Sequence, residues 1–85
     1  MYKIFTSNKR VERKLKEYIA SRKDILEKLR RLSSNPRKEC GAHPLKGKLA
    51  GKWSCWLGSN IRMIYIIEDI DKTIWAESVG SHKIY

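Results

Sequence analysis

Two spacings of apolar residues divide this chain into a helical first half and a strand-rich second half. After a short alternating segment, "YKIF" at 2–5, apolar residues recur three or four positions apart, as on one face of a helix. The first such stripe is Val11, Leu15, Tyr18 and Ile19, and the second is Ile25, Leu26, Leu29 and Leu32. Two short helices over about 7–33 are therefore predicted, with helix N-caps among residues 6–8 and at Ser21. The tight joint at Ala20–Ser21 predicts an antiparallel hairpin.

The second half changes to β-branched and aromatic runs. These runs are "KWSCWL" (52–57), "IRMIYIIE" (61–68) and "TIWAESV" (73–79), separated by the short turn sequences "GSN" and "DIDK". They predict three consecutive antiparallel strands, and "YKIF" is expected to join the same sheet. The predicted fold class is α+β, in the order β-α-α-β-β-β, with an antiparallel sheet and the helical hairpin packed on one face. The other sheet face is left open to a ligand.

The 85 residues make one domain, 1–85. Its parts are a helical hairpin at about 7–33, a basic loop at 35–51, a β-meander at 52–79 and a tail at 80–85. Connections longer than about 12 residues are usually functional or disordered, so the basic loop is a candidate functional segment. Gly80 is predicted to be a bend that turns the tail back over the sheet.

The charge of the chain favours an anionic partner. Nineteen Lys and Arg residues against nine Asp and Glu give a formal net charge of +10. Such a field attracts nucleic acid or an acidic protein. Residues 40–67 contain no acidic residue, which predicts a positive groove over the basic loop and the first two meander strands. The alternative is a basic surface that serves solubility alone.

Several classes of protein are disfavoured. Two cysteines without a signal sequence predict a cytoplasmic protein without disulfides, and no apolar run approaches the ~18–20 residues of a membrane span. Cys40 and His43 form a C-x-x-H pair, but zinc needs about four ligands. The sequence has no acidic cluster for two-metal chemistry and no phosphate-cradling glycine loop. Neither a metal nor a cofactor is expected.

Arg62 is the most informative single residue. It lies within an apolar run, and strand alternation places it on the same sheet face as Ile64 and Ile66. A guanidinium with such neighbours must be paired or must face a groove that receives an anion, and its planar fork suits phosphate. The alternative is a structural salt bridge to Glu77 or Glu68.

Other candidate groups lie in the tail and on the first meander strand. His82 has a side chain that both accepts and donates a proton near neutral pH, and Tyr85 is an aromatic neighbour. The alternative for both is an inert chain end. Trp53 and Trp56 face opposite sides of one strand, so one is expected in the core and the other is available to stack on a base.

Together these segments resemble the RelE/ParE superfamily of toxins from toxin–antitoxin pairs. "HPLKGKLAGKWSCWL", "NIRMIYIIED" and "VGSHKIY" follow in the family's order, and the resemblance covers the whole length. The chain is most similar to the ribosome-dependent mRNA interferases of the RelE, YoeB and YafQ type. This resemblance implies endoribonuclease activity without a metal, in which the 2′-OH of the RNA attacks the adjacent phosphorus.

The resemblance also implies roles for particular residues. Arg62 would stabilise the scissile phosphate, His82 would be the general acid, and Tyr85 would orient the nucleotide. His43 would be a base or a phosphate ligand. The base is left open between His43 and a lysine, since this sequence lacks the extra histidine of YafQ-like enzymes and its loop has only Glu39 where YoeB-like enzymes use a glutamate. The RNA-binding residues would be Lys46, Lys48, Lys52, Lys83 and Trp53.

The implied partners are the ribosome with its mRNA and a cognate antitoxin, which would form a hetero-oligomeric toxin–antitoxin complex. Two alternatives stay open at this point. One is a ParE-like toxin that inhibits DNA gyrase without cutting RNA, against which the "GSHKIY" tail argues. The other is an inactive remnant that only binds RNA.

Overall fold

Over residues 1–58 and 60–81, two α-helices and five strands follow one another in the order β-α-α-β-β-β-β. The computed structural model describes residues 1–58 and 60–81. The elements are β1 (Lys3–Thr6), α1 (Lys9–Ser21), α2 (Lys23–Ser34), β2 (His43–Pro44), β3 (Trp53–Trp56), β4 (Ile61–Glu68) and β5 (Thr73–Ser81). The α+β class is thus confirmed, and β2 is a short additional strand inside the basic loop. Neither of the helices among these residues has the length and apolar character that crossing a membrane requires.

The sheet is mixed, with strand order β1-β5-β4-β3-β2. The meander β3-β4-β5 is antiparallel as predicted, but β1 pairs with β5 in parallel, with Lys3 opposite Thr73. The prediction of a wholly antiparallel sheet was therefore wrong for this pair. Short turns dictate the direction of the meander strands, whereas β1 is separated from β5 by most of the chain, so no local turn constrains its direction.

The helix boundaries follow local hydrogen bonding. Asn8 caps α1, since its Oδ1 accepts from the amide of Val11 at 3.0 Å, which confirms a cap among residues 6–8. Ser21 does not cap α2: its Oγ donates back to the carbonyl of Tyr18 at 3.2 Å and it ends α1. Arg22 alone separates the two helices.

The hydrophobic core lies between the helix pair and one face of the sheet. Ile25 and Leu32 of α2 and Met63 and Tyr65 of β4 are fully buried in it. The hydroxyl of Tyr65 donates to the carbonyl of Pro36 at 2.7 Å, and burial raises the pKa of this phenol. This bond holds the start of the basic loop against the core.

The opposite face of the sheet, here called the far face, carries the alternate residues of β4: Arg62, Ile64 and Ile66. On β5, Ala76 pairs with Tyr65 and Ser78 pairs with Ile64, so Glu77 is an extra, bulged residue. Gly80 is not a bend as predicted. It pairs with Arg62, and β5 continues to Ser81 because Ile61 extends β4 as its partner.

A surface network joins the chain's start, the basic loop and the β4–β5 turn. Asp69 accepts two bonds from the guanidinium of Arg37, at 3.0 and 2.8 Å, and one from the hydroxyl of Tyr2 at 2.6 Å. These hydrogen bonds, that of Arg37 first, lower the pKa of Asp69 to about 2. The folded state therefore stabilises the deprotonated form of the Asp69 side chain more than the unfolded state does.

We expect Asp69→Asn to weaken the acid dependence of stability. A carboxyl whose pKa is depressed on folding stabilises the protein above its unfolded pKa of ~3.9. That contribution is lost as the pH falls toward about 2. Melting temperatures measured from neutral pH to pH ~2 should thus converge between wild type and variant on acidification. Asp71→Asn, in the same turn but outside this network, is the control. A difference between wild type and Asp69→Asn that stays constant with pH would contradict the assignment.

Candidate active site

Arg62 is supported on the far face by an aromatic ring. It lies directly across from Trp56 on β3, and its Cζ is 4.4 Å from the centroid of the Trp56 ring. On the other side its partner is Gly80, which has no side chain to cover it. A guanidinium stacked on a ring keeps its hydrogen-bond donors in the guanidinium plane, off the ring face. Nε of Arg62 is buried. The fold thus presents Arg62 in a form suited to an anion with several oxygens.

The two carboxylates considered as structural partners of Arg62 have other partners. Glu77 accepts from Nζ of Lys52 at 2.5 Å, and Oε1 of Glu68 accepts from the amide of Ile70 at 3.0 Å. Because Lys52 precedes β3 and Glu77 lies on β5, their ion pair spans β4. Lys52 is therefore held over the far face by a counter-ion that the sequence did not reveal.

His43 lies on β2, opposite Ser54 of β3. Since paired residues share a face, its side chain belongs to the far face. Its Nδ1 donates to the carbonyl of Gly41 at 3.1 Å, because a carbonyl oxygen can only accept. In the neutral ring this leaves the lone pair on Nε2. A neutral His43 in this contact therefore offers Nε2, and not Nδ1, as its proton acceptor.

Ser54, the residue paired with His43 on β3, is a buried polar residue on the far face. Ser54 is fully buried, and its hydroxyl has no hydrogen-bond partner among the residues that the structure describes. Ile64, beside it on β4, is also buried. Ser54 is thus a buried polar side chain next to His43 on this face. His43 and Arg62 lie two strands apart across the sheet and two residues apart along the strand direction. Their Cα atoms are therefore roughly 12 Å apart.

The remaining candidates are placed as follows. Lys46 and Lys48 are exposed in the basic loop before β3. Trp53 packs against the core cluster, with Cζ of Arg37 5.8 Å from its ring. Of Trp53 and Trp56, Trp56 is therefore the one on the far face, and the role predicted for Trp53 in RNA binding stays a prediction. The residues predicted in the tail, His82, Lys83 and Tyr85, lie outside the described residues.

The two cysteines do not contribute a reactive thiolate to this face. Both are free, and burial raises the pKa of Cys55 strongly and that of Cys40 in the same direction. The thiol of Cys40 donates to the carbonyl of Lys28 at 3.2 Å. Protonated thiols are poor nucleophiles and poor metal ligands.

Sequence reasoning missed three features of this site. The stack of Trp56 under Arg62 follows from the hairpin register, which counting outward from the turn at 58–60 would have predicted. The Lys52–Glu77 pair depends on the bulge in β5, for which the sequence has no clear signal. The strand β2 has only two residues, too few for a periodic pattern.

The chain has the fold of the RelE/ParE toxins, as the resemblance predicted. Among solved structures it is similar to a YoeB/ParE toxin from Agrobacterium tumefaciens (20% identity, 94% of this chain and 98% of that one, TM-score 0.74). It is equally similar to the toxin fold in a heterotetrameric YoeB–YefM toxin–antitoxin complex from Staphylococcus aureus (19%, 96% and 98%, TM-score 0.74). YafQ from E. coli is a further neighbour (18%, 96% and 94%, TM-score 0.66).

The likeness lies in three-dimensional structure. No family model matches the sequence. No curated protein matches it either.

Proposed function

We propose that this protein is the toxin of a toxin–antitoxin pair, a ribosome-dependent endoribonuclease that cleaves mRNA without a metal. The observation that carries the proposal is Arg62, presented on the far face by the Trp56 ring in a fold shared with YoeB and YafQ. The strongly basic chain supports a nucleic-acid substrate.

The reaction we propose is an internal transesterification. A base removes the proton of a ribose 2′-OH, and the 2′-oxygen attacks the adjacent phosphorus. The bond to the 5′-oxygen of the next nucleotide breaks, and a general acid protonates that oxygen. The products are a 2′,3′-cyclic phosphate and a 5′-hydroxyl end. This route needs a base, an acid and a cation that stabilises the charged phosphorane, and no protein nucleophile.

The residues divide these tasks as follows. Arg62 stabilises the phosphorane, and His43 is the base through Nε2, which its bond to the Gly41 carbonyl supports. His82 is the acid and Tyr85 orients the nucleotide. The RNA backbone is held by Lys46, Lys48, Lys52 and Lys83, with Trp53 as a further predicted contact.

The proposal includes a protein partner. The S. aureus relative is assembled with YefM in a toxin–antitoxin complex. We propose that this chain likewise binds a cognate antitoxin in a hetero-oligomer, and that its excess of positive charge attracts an acidic partner segment. We propose that the toxin–antitoxin complex and the ribosomal target are both cytoplasmic.

The first test uses a translating extract and an mRNA that carries a single 2′-deoxynucleotide at a mapped cut site. We expect the wild-type protein to cut the all-ribose mRNA within ribosome-bound codons and to leave 5′-hydroxyl ends. Cleavage at the substituted position should disappear, while the other cuts remain, because the attacking group has been removed.

The outcome separates the proposed reaction from its alternatives. A cut that persists at the 2′-deoxy position would contradict transesterification. Intact mRNA throughout would exclude the nuclease and would direct attention to DNA gyrase, whose supercoiling activity is the next assay. RNA binding without any cut would identify an inactive RNA-binding protein.

A further inference from the structure

A cavity of about 510 Å³ lies beside the proposed active site, at the start of α2 and the edge of β3. Because β2 pairs only with Trp53 and Ser54, β3 is the sheet edge at Trp56. Arg22, Asp24 and Lys28 line the cavity from the helix side, and Trp56 lines it from the sheet. We call it the flank cavity.

We propose that the flank cavity is a second RNA subsite, which binds the phosphate and base of a nucleotide next to the one held at Arg62. This inference rests on the proposed function and deepens it. It predicts that substrate contacts continue around the edge of the sheet and are not confined to the far face.

The charges in the flank cavity favour an anion. Two cations, Arg22 and Lys28, face one carboxylate, Asp24, which leaves one positive charge in excess. The Arg22–Asp24 contact is 3.4 Å long, and the side chains are 33% and 49% exposed. Such exposed pairs are weak, so the guanidinium is available to exchange the carboxylate for a phosphate. Lys28 has no ion-pair partner within residues 1–58 and 60–81.

Two glycines line the flank cavity and lie close to its side chains. A Cβ at Gly58 would lie 2.7 Å from Nη2 of Arg22, so the guanidinium rests against bare backbone there. A Cβ at Gly41, where φ is +64°, would lie 3.2 Å from Cδ1 of Trp56. Any side chain at either position would crowd the groups that line the cavity.

Trp56 connects the flank cavity with the proposed active site. The same indole lines the cavity and supports the guanidinium of Arg62, whose Cζ is 4.4 Å from the ring centroid. Cations beside an aromatic wall are the combination that single-stranded RNA uses, with phosphates on the cations and a base on the ring. A purely acidic peptide would use the cations but would gain less from the indole. The geometry therefore favours RNA.

The test is a binding measurement on the full chain with a short single-stranded 2′-O-methyl RNA, which cannot be cleaved because its 2′-oxygens are blocked. Fluorescence anisotropy at several salt concentrations compares wild type with Arg22→Gln, Lys28→Gln and the double variant. We expect the double variant to bind about tenfold more weakly at low salt. The slope of log K against log salt should fall by about 1.4, since two phosphate contacts are lost.

Matched controls are Lys23→Gln and Arg30→Gln, exposed cations on the same helix, which should leave both affinity and slope near wild type. Thermal unfolding of each variant confirms that it is folded. A double variant that binds RNA like the wild type, with an unchanged slope, would overturn the inference. The inference would also be overturned if the double variant no longer bound an acidic peptide but still bound RNA like the wild type.

Failure of the subsite is distinguishable from failure of the proposed function. The subsite is read from binding of uncleavable RNA, whereas the function is read from cleavage at ribose and 2′-deoxy positions. If the wild type cleaves mRNA but the double variant keeps full RNA affinity, the subsite in the flank cavity is rejected and the proposed function is retained.

Discussion

Arg62→Ala is expected to reduce cleavage of ribosome-bound mRNA by about 100- to 1,000-fold, the loss typical of removing one donor that stabilises an anionic transition state. The variant should remain folded, because Arg62 is only half-buried, stacks on Trp56 on the far face and is not part of the core cluster. The measurement is the rate of cutting at mapped codons in a translating extract, with thermal unfolding measured in parallel.

Arg62→Lys tests whether the planar donors of the guanidinium are required or whether a positive charge is sufficient. Lysine retains the charge but lacks the planar pair of donors, so we expect activity between those of wild type and Arg62→Ala. Arg13→Ala, at an exposed position on α1, is the charge-matched control and should cut at the wild-type rate. Wild-type cutting by Arg62→Ala would remove Arg62 from the mechanism.

Leu32→Ala is expected to lower the free energy of unfolding by about 2–5 kcal/mol. Leu32 has no exposed surface and lies in the core cluster between α2 and the sheet. Truncating it removes buried methyl groups and leaves a cavity. Domains of this size are often stable by only about 5–15 kcal/mol, so the loss is a large part of the total.

Leu26→Ala provides the matched control, since it is the same substitution on the same helix at a side chain that is 44% exposed. We expect a change within about 0.5 kcal/mol. Urea unfolding followed by far-UV circular dichroism measures both variants. Equal destabilisation by the two substitutions would contradict the assigned helix packing.

Much of the fold could be predicted because it depends on local patterns. The strand predicted at 61–68 has the bounds observed for β4, since its β-branched residues lie between two turn sequences. The two apolar stripes placed α1 and α2, and Asn8 was among the predicted caps. The observed joint is at Arg22 and not at Ala20–Ser21, because the Ser21 hydroxyl donates a hydrogen bond within α1.

The candidate site was predictable only in part. Arg62 was identified because a guanidinium within an apolar strand must be paired or must face a groove, and alternation placed it on the same sheet face as Ile64 and Ile66. That this face points away from the helices is known only from the structure. His43 was identified by resemblance, but its tautomer depends on the carbonyl of Gly41 in a loop of irregular conformation. Which tryptophan supports Arg62 depended on the register between two strands.

Local sequence patterns were sufficient to predict the α+β class, the helix pair and the meander and to select Arg62 as a candidate, because each follows from periodicity, turn chemistry or charge within a few residues. Tertiary structure alone decided the parallel pairing of β1, the Lys52–Glu77 pair across β4 and the flank cavity. These features join residues far apart in the chain, and their contacts depend on strand register and on a bulge. Local sequence preferences do not specify such contacts; the packing of the complete sheet does.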